Sequence, residues 1–171
     1  MKGGQIDLSI RMTATGHAVI GTVIAAVVPN PVIGIPLALA SHVAADAFPH
    51  WDIGTNRKDK TRRRFVVEAF IDLGISFILP YFLVMYFFPQ TNMFYAYSCV
   101  IAAQFLDWAS APWVFLKIEH PGIFKSFYAF QKKFDNRLDK PWGIIGQVGI
   151  LALLVAIAAV SLGTPISIAM R

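Results

Sequence analysis

The chain has 171 residues, enough for one domain, and 56% of them are hydrophobic while 15% are charged. A soluble domain averages about 45–50% apolar and about 25% charged residues, so this composition excludes an ordinary soluble protein and indicates an integral membrane protein. The net charge of +5 would also suit nucleic-acid binding, but no nucleic-acid motif accompanies it, and a single cysteine, Cys99, excludes an internal disulfide.

Two short apolar helices are predicted first, over residues 12–28 and 32–48. The sequence Pro29-Asn30-Pro31 makes a tight turn between them. Each helix has about 17 residues and a length of roughly 25 Å, near the short limit for crossing a bilayer. The pair therefore forms either two spans or a re-entrant hairpin. The first segment contains His17 and lacks a convincing signal-peptide cleavage site, so we expect it to be retained.

Three longer apolar helices are predicted further along the chain, over residues 65–88, 92–116 and 142–162. An amphipathic helix is predicted between the last two, over residues 120–139, because apolar residues recur there at helical spacing among basic ones. It lies either in the membrane interface or on the bundle's own loops. The expected fold is an all-α polytopic membrane bundle, a single domain with about five hydrophobic helices plus one amphipathic interfacial helix.

The distribution of lysine and arginine predicts the orientation of the bundle. Basic residues precede the first helix, fill the loop 51–64 and follow the fourth helix, whereas the turns at 29–31 and 89–92 carry no charge. By the positive-inside rule, this alternation indicates a cytoplasmic N-terminus and an external C-terminus, in a membrane of the bacterial inner (plasma) membrane type. The basic residues, which should also attract anionic lipid headgroups, are Lys2, Arg11, Arg57, Lys58, Lys60, Arg62, Arg63, Arg64, Lys117, Lys125, Lys132, Lys133, Arg137 and Lys140.

The most informative segment is the run SHVAADAFPHWD at residues 41–52, which ends the second helix. His42 and Asp46 stand four residues apart and share one helix face. His50 follows Pro49, at which the helix should end. Ionisable groups inside a membrane are costly unless they are paired or bind a ligand, so the run is a candidate functional site.

Other helices carry ionisable residues at a similar depth. At 1.5 Å per residue, His17, Asp72 and Asp107 lie roughly 9–15 Å from the basic end of their helices, on the same side of the membrane as His42. Imidazoles and carboxylates suit zinc, manganese or iron, either as one ion with orienting carboxylates or as a two-metal centre. We expect the metal ligands to be His17, His42, Asp46 and Asp107.

Further roles are predicted for the remaining ionisable residues. Asp72 is expected to be a ligand or a general base, and His50 to complete the site or handle protons. Glu68 lies near enough to the surface to pair with Arg64, and Asp52 is expected to cap the basic loop rather than join the site. Each of these groups, taken singly, could instead form a hydrogen bond to a neighbouring helix.

The first third of the chain resembles the bacterial membrane-bound metal-dependent hydrolase-like proteins, the YdjM-like group. Their pattern is an early helix histidine followed by a helix that ends in His-x-x-x-Asp and a proline or glycine, which His17, His42, Asp46 and Pro49 match. With His50 included, the second motif also looks like the helix motif of zinc-dependent phospholipases C.

The resemblance covers about residues 13–52 and implies a metal-dependent hydrolase in which zinc is the expected ion. Proteins of the group often carry further histidines in the later amphipathic segment. In that region this chain has Gln131 and Asn136.

We therefore expect a membrane-embedded metal-dependent hydrolase that holds one or two divalent transition-metal ions. Its expected substrate is a lipid-linked phosphoester or ester at the cytoplasmic leaflet, and membrane lipids are its expected partners. A non-enzymatic metal-ion or proton-binding transporter is the alternative. A third interpretation is a structural membrane protein in which the polar layer only joins helices.

Overall fold

The computed structural model describes residues 12–56, 59–134, 136 and 138–163. Within these residues the chain is all-helical, which confirms the expected class, and it contains no β-strand. The six helices described are α1 (Ala14–Val27), α2 (Pro31–Ala47), α3 (Arg62–Phe87), α4 (Met93–Leu116), α5 (Ile123–Gln131) and α6 (Trp142–Ser161). The basic residues Lys2, Arg11, Arg57, Lys58 and Arg137 lie outside the described residues.

Each of the first four helices begins at a polar side chain that caps it. Thr13, Asn30, Thr61 and Asn92 each accept a hydrogen bond from a backbone N–H in the first turn of the helix that follows. The Thr61 cap explains why α3 begins at Arg62, rather than at residue 65 as predicted.

Three of the described helices, α3, α4 and α6, are long and apolar enough to cross a membrane, which indicates a membrane protein. The expectation of about five such spans was wrong for this part of the chain, because α1 and α2 have only 14 and 17 residues. The turn at Pro29 explains their shortness, since the residue before a proline is disfavoured in a helix and α1 ends at Val27.

Helix α1 occupies the centre of the bundle. It packs against α2, α3, α4 and α6, and most of its residues are buried. Small residues permit this packing: a Cβ atom added at Gly21 would lie only 2.8 Å from the carbonyl oxygen of Cys99 in α4. The backbones of α1 and α4 therefore approach closely, and His17 in the first half of α1 is enclosed by the other helices.

The two ends of the bundle differ in charge. The basic end is formed, among the described residues, by 48–56, 59–61, 117–134, 136 and 138–141, where α1, α3 and α6 begin and α2 and α4 end. Trp51 lies there between two lysines, with the ammonium groups of Lys60 and Lys140 at 5.4 Å and 4.4 Å from its ring centroids. At the opposite end, residues 28–30 and 88–92 carry no charge. The positive-inside rule uses such a difference in basic residues between the two ends to assign the orientation of a protein in the membrane.

Helix α5 is shorter than the amphipathic helix predicted over residues 120–139. It packs against α4, where Phe127 meets Phe105 edge-on at 6.1 Å between ring centroids. The chain then turns back to the end of α2, because the backbone N–H groups of Asn136 and Leu138 bond to the carbonyl oxygens of Asp46 and His50. Helix α5 thus ends at Gln131, which is buried in the bundle.

We predict that Gly21→Ala destabilises the fold, because the added methyl group would press against the α4 backbone. Overpacking of this kind costs about 1–3 kcal/mol of unfolding free energy. Gly149→Ala in α6 is the matched control, since its added Cβ meets nothing within 4 Å. Thermal unfolding of the two variants in detergent, followed by circular dichroism, should show a lower midpoint for Gly21→Ala alone. Equal midpoints would contradict the close α1–α4 approach.

Candidate metal centre

Two histidines from different helices lie face to face inside the bundle. The rings of His17 in α1 and His42 in α2 are stacked, with 4.0 Å between their centroids and an angle of 7° between their planes. Both residues are buried, at 1% and 0% exposure. The stacked pair therefore brings ring nitrogens of α1 and α2 close together in a buried position.

A backbone carbonyl determines how His42 presents its ring. Its Nδ1 atom lies 2.6 Å from the carbonyl oxygen of Ala103 in α4. Because a carbonyl oxygen can only accept, Nδ1 carries the hydrogen and donates it. In the neutral ring, Nε2 then carries a lone pair. A hydrogen bond to the other ring nitrogen is the usual way in which a protein orients a metal-binding histidine.

Two carboxylates face the Nε2 atoms of both histidines, and each sends one oxygen to each ring. Asp46 places its oxygens 3.4 Å from His17 Nε2 and 3.3 Å from His42 Nε2. Asp107 places its oxygens 3.8 Å and 3.7 Å from the same two atoms. A lone pair that faces a carboxylate is repelled by it, so a cation between them, either a metal ion or a proton, would stabilise the arrangement.

The distances fit a metal ion. Nitrogen and oxygen ligands about 2.0–2.2 Å from zinc in a tetrahedron lie about 3.3–3.5 Å from one another, close to the separations found here. Among the described residues, ligand atoms of His17, His42 and Asp107 lie within 4.8 Å of one another, and the three could hold a metal ion. Two neutral imidazoles and two carboxylates sum to a charge of −2, which one divalent cation would neutralise.

The His17 ring adds a second observation. Neither of its nitrogens makes a hydrogen bond within the described part of the chain, although the ring is buried. Buried polar atoms are normally hydrogen-bonded, and an exception needs an explanation such as an ion. A metal ion at the facing carboxylates would satisfy Nε2. The donor set therefore fits a metal centre, whose metal type the geometry does not determine.

Gln131, at the end of α5, also reaches this cluster. Its side-chain amide nitrogen lies 3.0 Å from His42 Nε2 and 3.3 Å from Asp107 Oδ1, and the residue is buried. From the sequence, Gln131 stands out only because proteins of the YdjM-like group, which the first part of the chain resembles, often carry histidines in this region. A stronger signal was available, because Gln131 follows Phe127 and Tyr128 by four and three residues and so shares the apolar face of α5.

Asp72 has a different set of contacts from the predicted one. Its carboxylate accepts hydrogen bonds from the backbone N–H groups of Ala14 and Thr15, at 2.6 and 3.1 Å, and from the Thr15 hydroxyl at 2.6 Å. These bonds attach α3 to the N-terminus of α1, where a negative charge is favourable. Asp72 thus holds the helix that carries His17, and its predicted part in the chemistry stays a prediction.

The other predicted residues make contacts of their own outside the cluster's ion pairs. His50 is buried on the loop after α2, with Nδ1 2.6 Å from the carbonyl oxygen of Phe48, and its catalytic role stays a prediction. Asp52 accepts a hydrogen bond from the Thr55 hydroxyl at 2.6 Å within the same loop. Glu68 pairs with Arg64 at 2.8 Å, as predicted, and also with Lys60 at 2.7 Å.

A cavity of about 750 Å³ adjoins the cluster between α3 and α4. Asp107 belongs both to its wall and to the histidine cluster. Asp72 also lines the cavity, as does Arg62 at the basic end. Most of the remaining wall is apolar.

No protein-family model, curated protein or solved structure matches this chain. The function must therefore be argued from the geometry of the site itself.

We predict that Asp72→Asn lowers the unfolding free energy by about 1–2 kcal/mol, because it weakens the cap on α1. Glu68→Gln, on the same helix with the same change of charge, is the control. It breaks ion pairs near the surface and should cost about 0–1 kcal/mol. Thermal unfolding in metal-free detergent buffer measures both, and equal effects would contradict the anchoring role of Asp72.

Proposed function

We propose that the protein is a membrane-embedded metal-dependent hydrolase that acts on a lipid-linked ester or phosphoester. The observation that carries the proposal is the convergence of His17, His42, Asp46 and Asp107, from three helices, on one largely buried point. The resemblance of residues 13–52 to the YdjM-like group agrees with it. We place the basic end of the bundle at the cytoplasmic face of a bacterial-type inner membrane, as the positive-inside rule requires.

The chain's own residues would hold the ion in a defined way. His17 and His42 would bind through Nε2, with the Ala103 carbonyl keeping the His42 ring in place. The backbone N–H of Met12 donates to Asp46 Oδ1 at 3.2 Å and fixes that carboxylate. Asp107 is the most accessible of the four, with 19% of its side chain exposed, and would face the substrate. When bound, a divalent cation such as zinc supplies Lewis acidity and lowers the pKa of water.

Both one-ion and two-ion centres agree with this geometry. One ion would neutralise the charge of −2. In a two-ion centre, both carboxylates would help to hold the ions, since each sends one oxygen to each histidine. The measured metal content per chain distinguishes them.

Hydrolysis also needs a group that accepts a proton from water and a group that returns one to the leaving oxygen. We assign the first task to Asp72, because it lines the same cavity as Asp107 and its hydrogen bonds fix its orientation. We assign proton exchange with the basic end to His50, which lies on the loop directly after α2.

The first prediction concerns metal content. The purified protein should contain one or two equivalents of a divalent transition metal, measured by elemental mass spectrometry. His17→Ala, His42→Ala and Asp107→Asn should each lower metal affinity by at least about 10–100-fold, the range seen even for residues that only support a ligand. His120→Ala is the control, since His120 is exposed beyond the end of α4. A folded, metal-free wild-type protein would contradict the proposal.

The second prediction separates a hydrolase from a transporter. A transporter has support from the same geometry, because a proton between His42 Nε2 and the carboxylates would also satisfy their charges. In liposomes of phosphatidylethanolamine and phosphatidylglycerol, we expect lipid hydrolysis that falls by about 10²–10⁴-fold in Asp72→Asn, as for loss of a general base. Metal-ion or proton flux without hydrolysis would instead support the transporter.

A further inference from the structure

The cavity between α3 and α4 has a basic residue at one end, Asp72 and Asp107 in its wall, and an otherwise mostly apolar lining. Arg62, at the start of α3, lines it at the basic end, and its guanidinium donates to the carbonyl oxygen of Phe115 at 3.3 Å. Asp107 lies deeper, eight residues or roughly 12 Å from Phe115 along α4. The apolar lining includes Val66, Leu73, Phe77, Ala111, Val114 and Phe115.

The surroundings of the cavity indicate what fills it. Both helices that form its walls are long and apolar enough to cross a membrane, so lipid is the medium around them. The volume of about 750 Å³ lies within the range of about 300–1,000 Å³ typical of small-molecule sites. An apolar interior favours a hydrocarbon chain, and an arginine at the headgroup end favours a phosphate, because its guanidinium matches phosphate oxygens in charge and shape.

We propose that this cavity binds one acyl chain of a phospholipid, with the lipid phosphate at Arg62 and the chain passing Asp107. Binding of the lipid is independent of the proposed hydrolase activity. The choice of the lipid bond that is hydrolysed rests on that activity.

The distance between Arg62 and Asp107 indicates which bond of the bound lipid is hydrolysed. A phosphate held at Arg62 lies too far along the cavity to reach the metal ligands, whereas the carboxylic ester lies between that phosphate and the chain that passes Asp107, so it is the hydrolysable bond nearer to those ligands. Water would add to the ester carbonyl carbon, and the bond from that carbon to the glycerol oxygen would break. The proton lost by water goes to Asp72 and one proton is returned to the glycerol oxygen, which gives a fatty acid and a lysophospholipid.

Photo-crosslinking tests the cavity. The probe is phosphatidylglycerol with a diazirine on its acyl chain, at trace levels in phosphatidylcholine vesicles that contain the full-length protein. Peptide mass spectrometry should locate the label on α3 and α4. Ala111→Trp should fill the cavity and reduce this labelling about tenfold, as expected when a bulky side chain overpacks a site. Ala152→Trp, on the exposed side of α6, is the matched control and should leave the labelling unchanged.

The proposed contact between the lipid phosphate and Arg62 is tested with a second pair of variants. Arg62→Gln should reduce labelling by the phosphatidylglycerol probe about tenfold, the effect of losing one charge-assisted hydrogen bond. It should leave labelling by a diazirine diacylglycerol, which lacks phosphate, unchanged. Arg63→Gln is the control, because Arg63 is equally basic and exposed but does not line the cavity.

The outcomes separate this inference from the proposed function. If Ala111→Trp labels like the wild type, the cavity is not a lipid site, whatever the metal content. If His42→Ala loses its metal yet retains labelling, the lipid site stands independently of the metal. If the wild type labels as described but binds no metal, the hydrolase fails and the lipid site remains. Release of the headgroup, rather than of fatty acid and lysophospholipid, would overturn the choice of bond.

Discussion

The contact between two histidine Nε2 atoms and two carboxylates is the constraint around which this bundle is organised. The Ala103 carbonyl leaves a lone pair on His42 Nε2, and that atom faces Asp46 and Asp107 at 3.3 Å and 3.7 Å. Such a group of buried negative charge is unfavourable in an apolar interior unless a cation joins it. The four side chains come from three helices, so α1, α2 and α4 must hold their relative positions for the site to exist.

The supporting contacts show how a short central helix keeps that position. Helix α1 cannot be stabilised by its own 14 residues, because isolated helices of this length are marginal in water and depend on packing. Gly21 allows it to approach α4 closely, and Asp72 attaches its first turn to α3. The hydrogen bond from Gln147 to Thr13 joins its start to α6. Polar groups near the basic end thus position His17, while apolar packing fixes the rest.

Helix α5 connects the basic end of the bundle to the cluster. Its exposed apolar residues, Ile123 and Phe130, stand beside lysines at the basic end, while Gln131 at its last turn contacts His42 and Asp107. The cavity meets the same cluster at Asp107 from the side of α3 and α4. A lipid held in the cavity would therefore approach the proposed metal ligands from the side of α3 and α4, whereas the amide of Gln131 approaches them from α5.

The sequence by itself determined the all-helical class, the basic and uncharged ends, and the grouping of His17, His42, Asp46 and Asp107, because hydropathy, charge and helical spacing are local properties of a chain. It also determined that Glu68 pairs with Arg64, four residues away on one helix face. Only the tertiary structure decided that Asp72 caps α1, that Gln131 enters the site and that, in the described part of the chain, three helices rather than five are long enough to span. These features depend on how the helices pack and on where caps and turns end them. Contacts between residues distant in sequence produce no periodic pattern in the sequence, so the sequence alone does not reveal them.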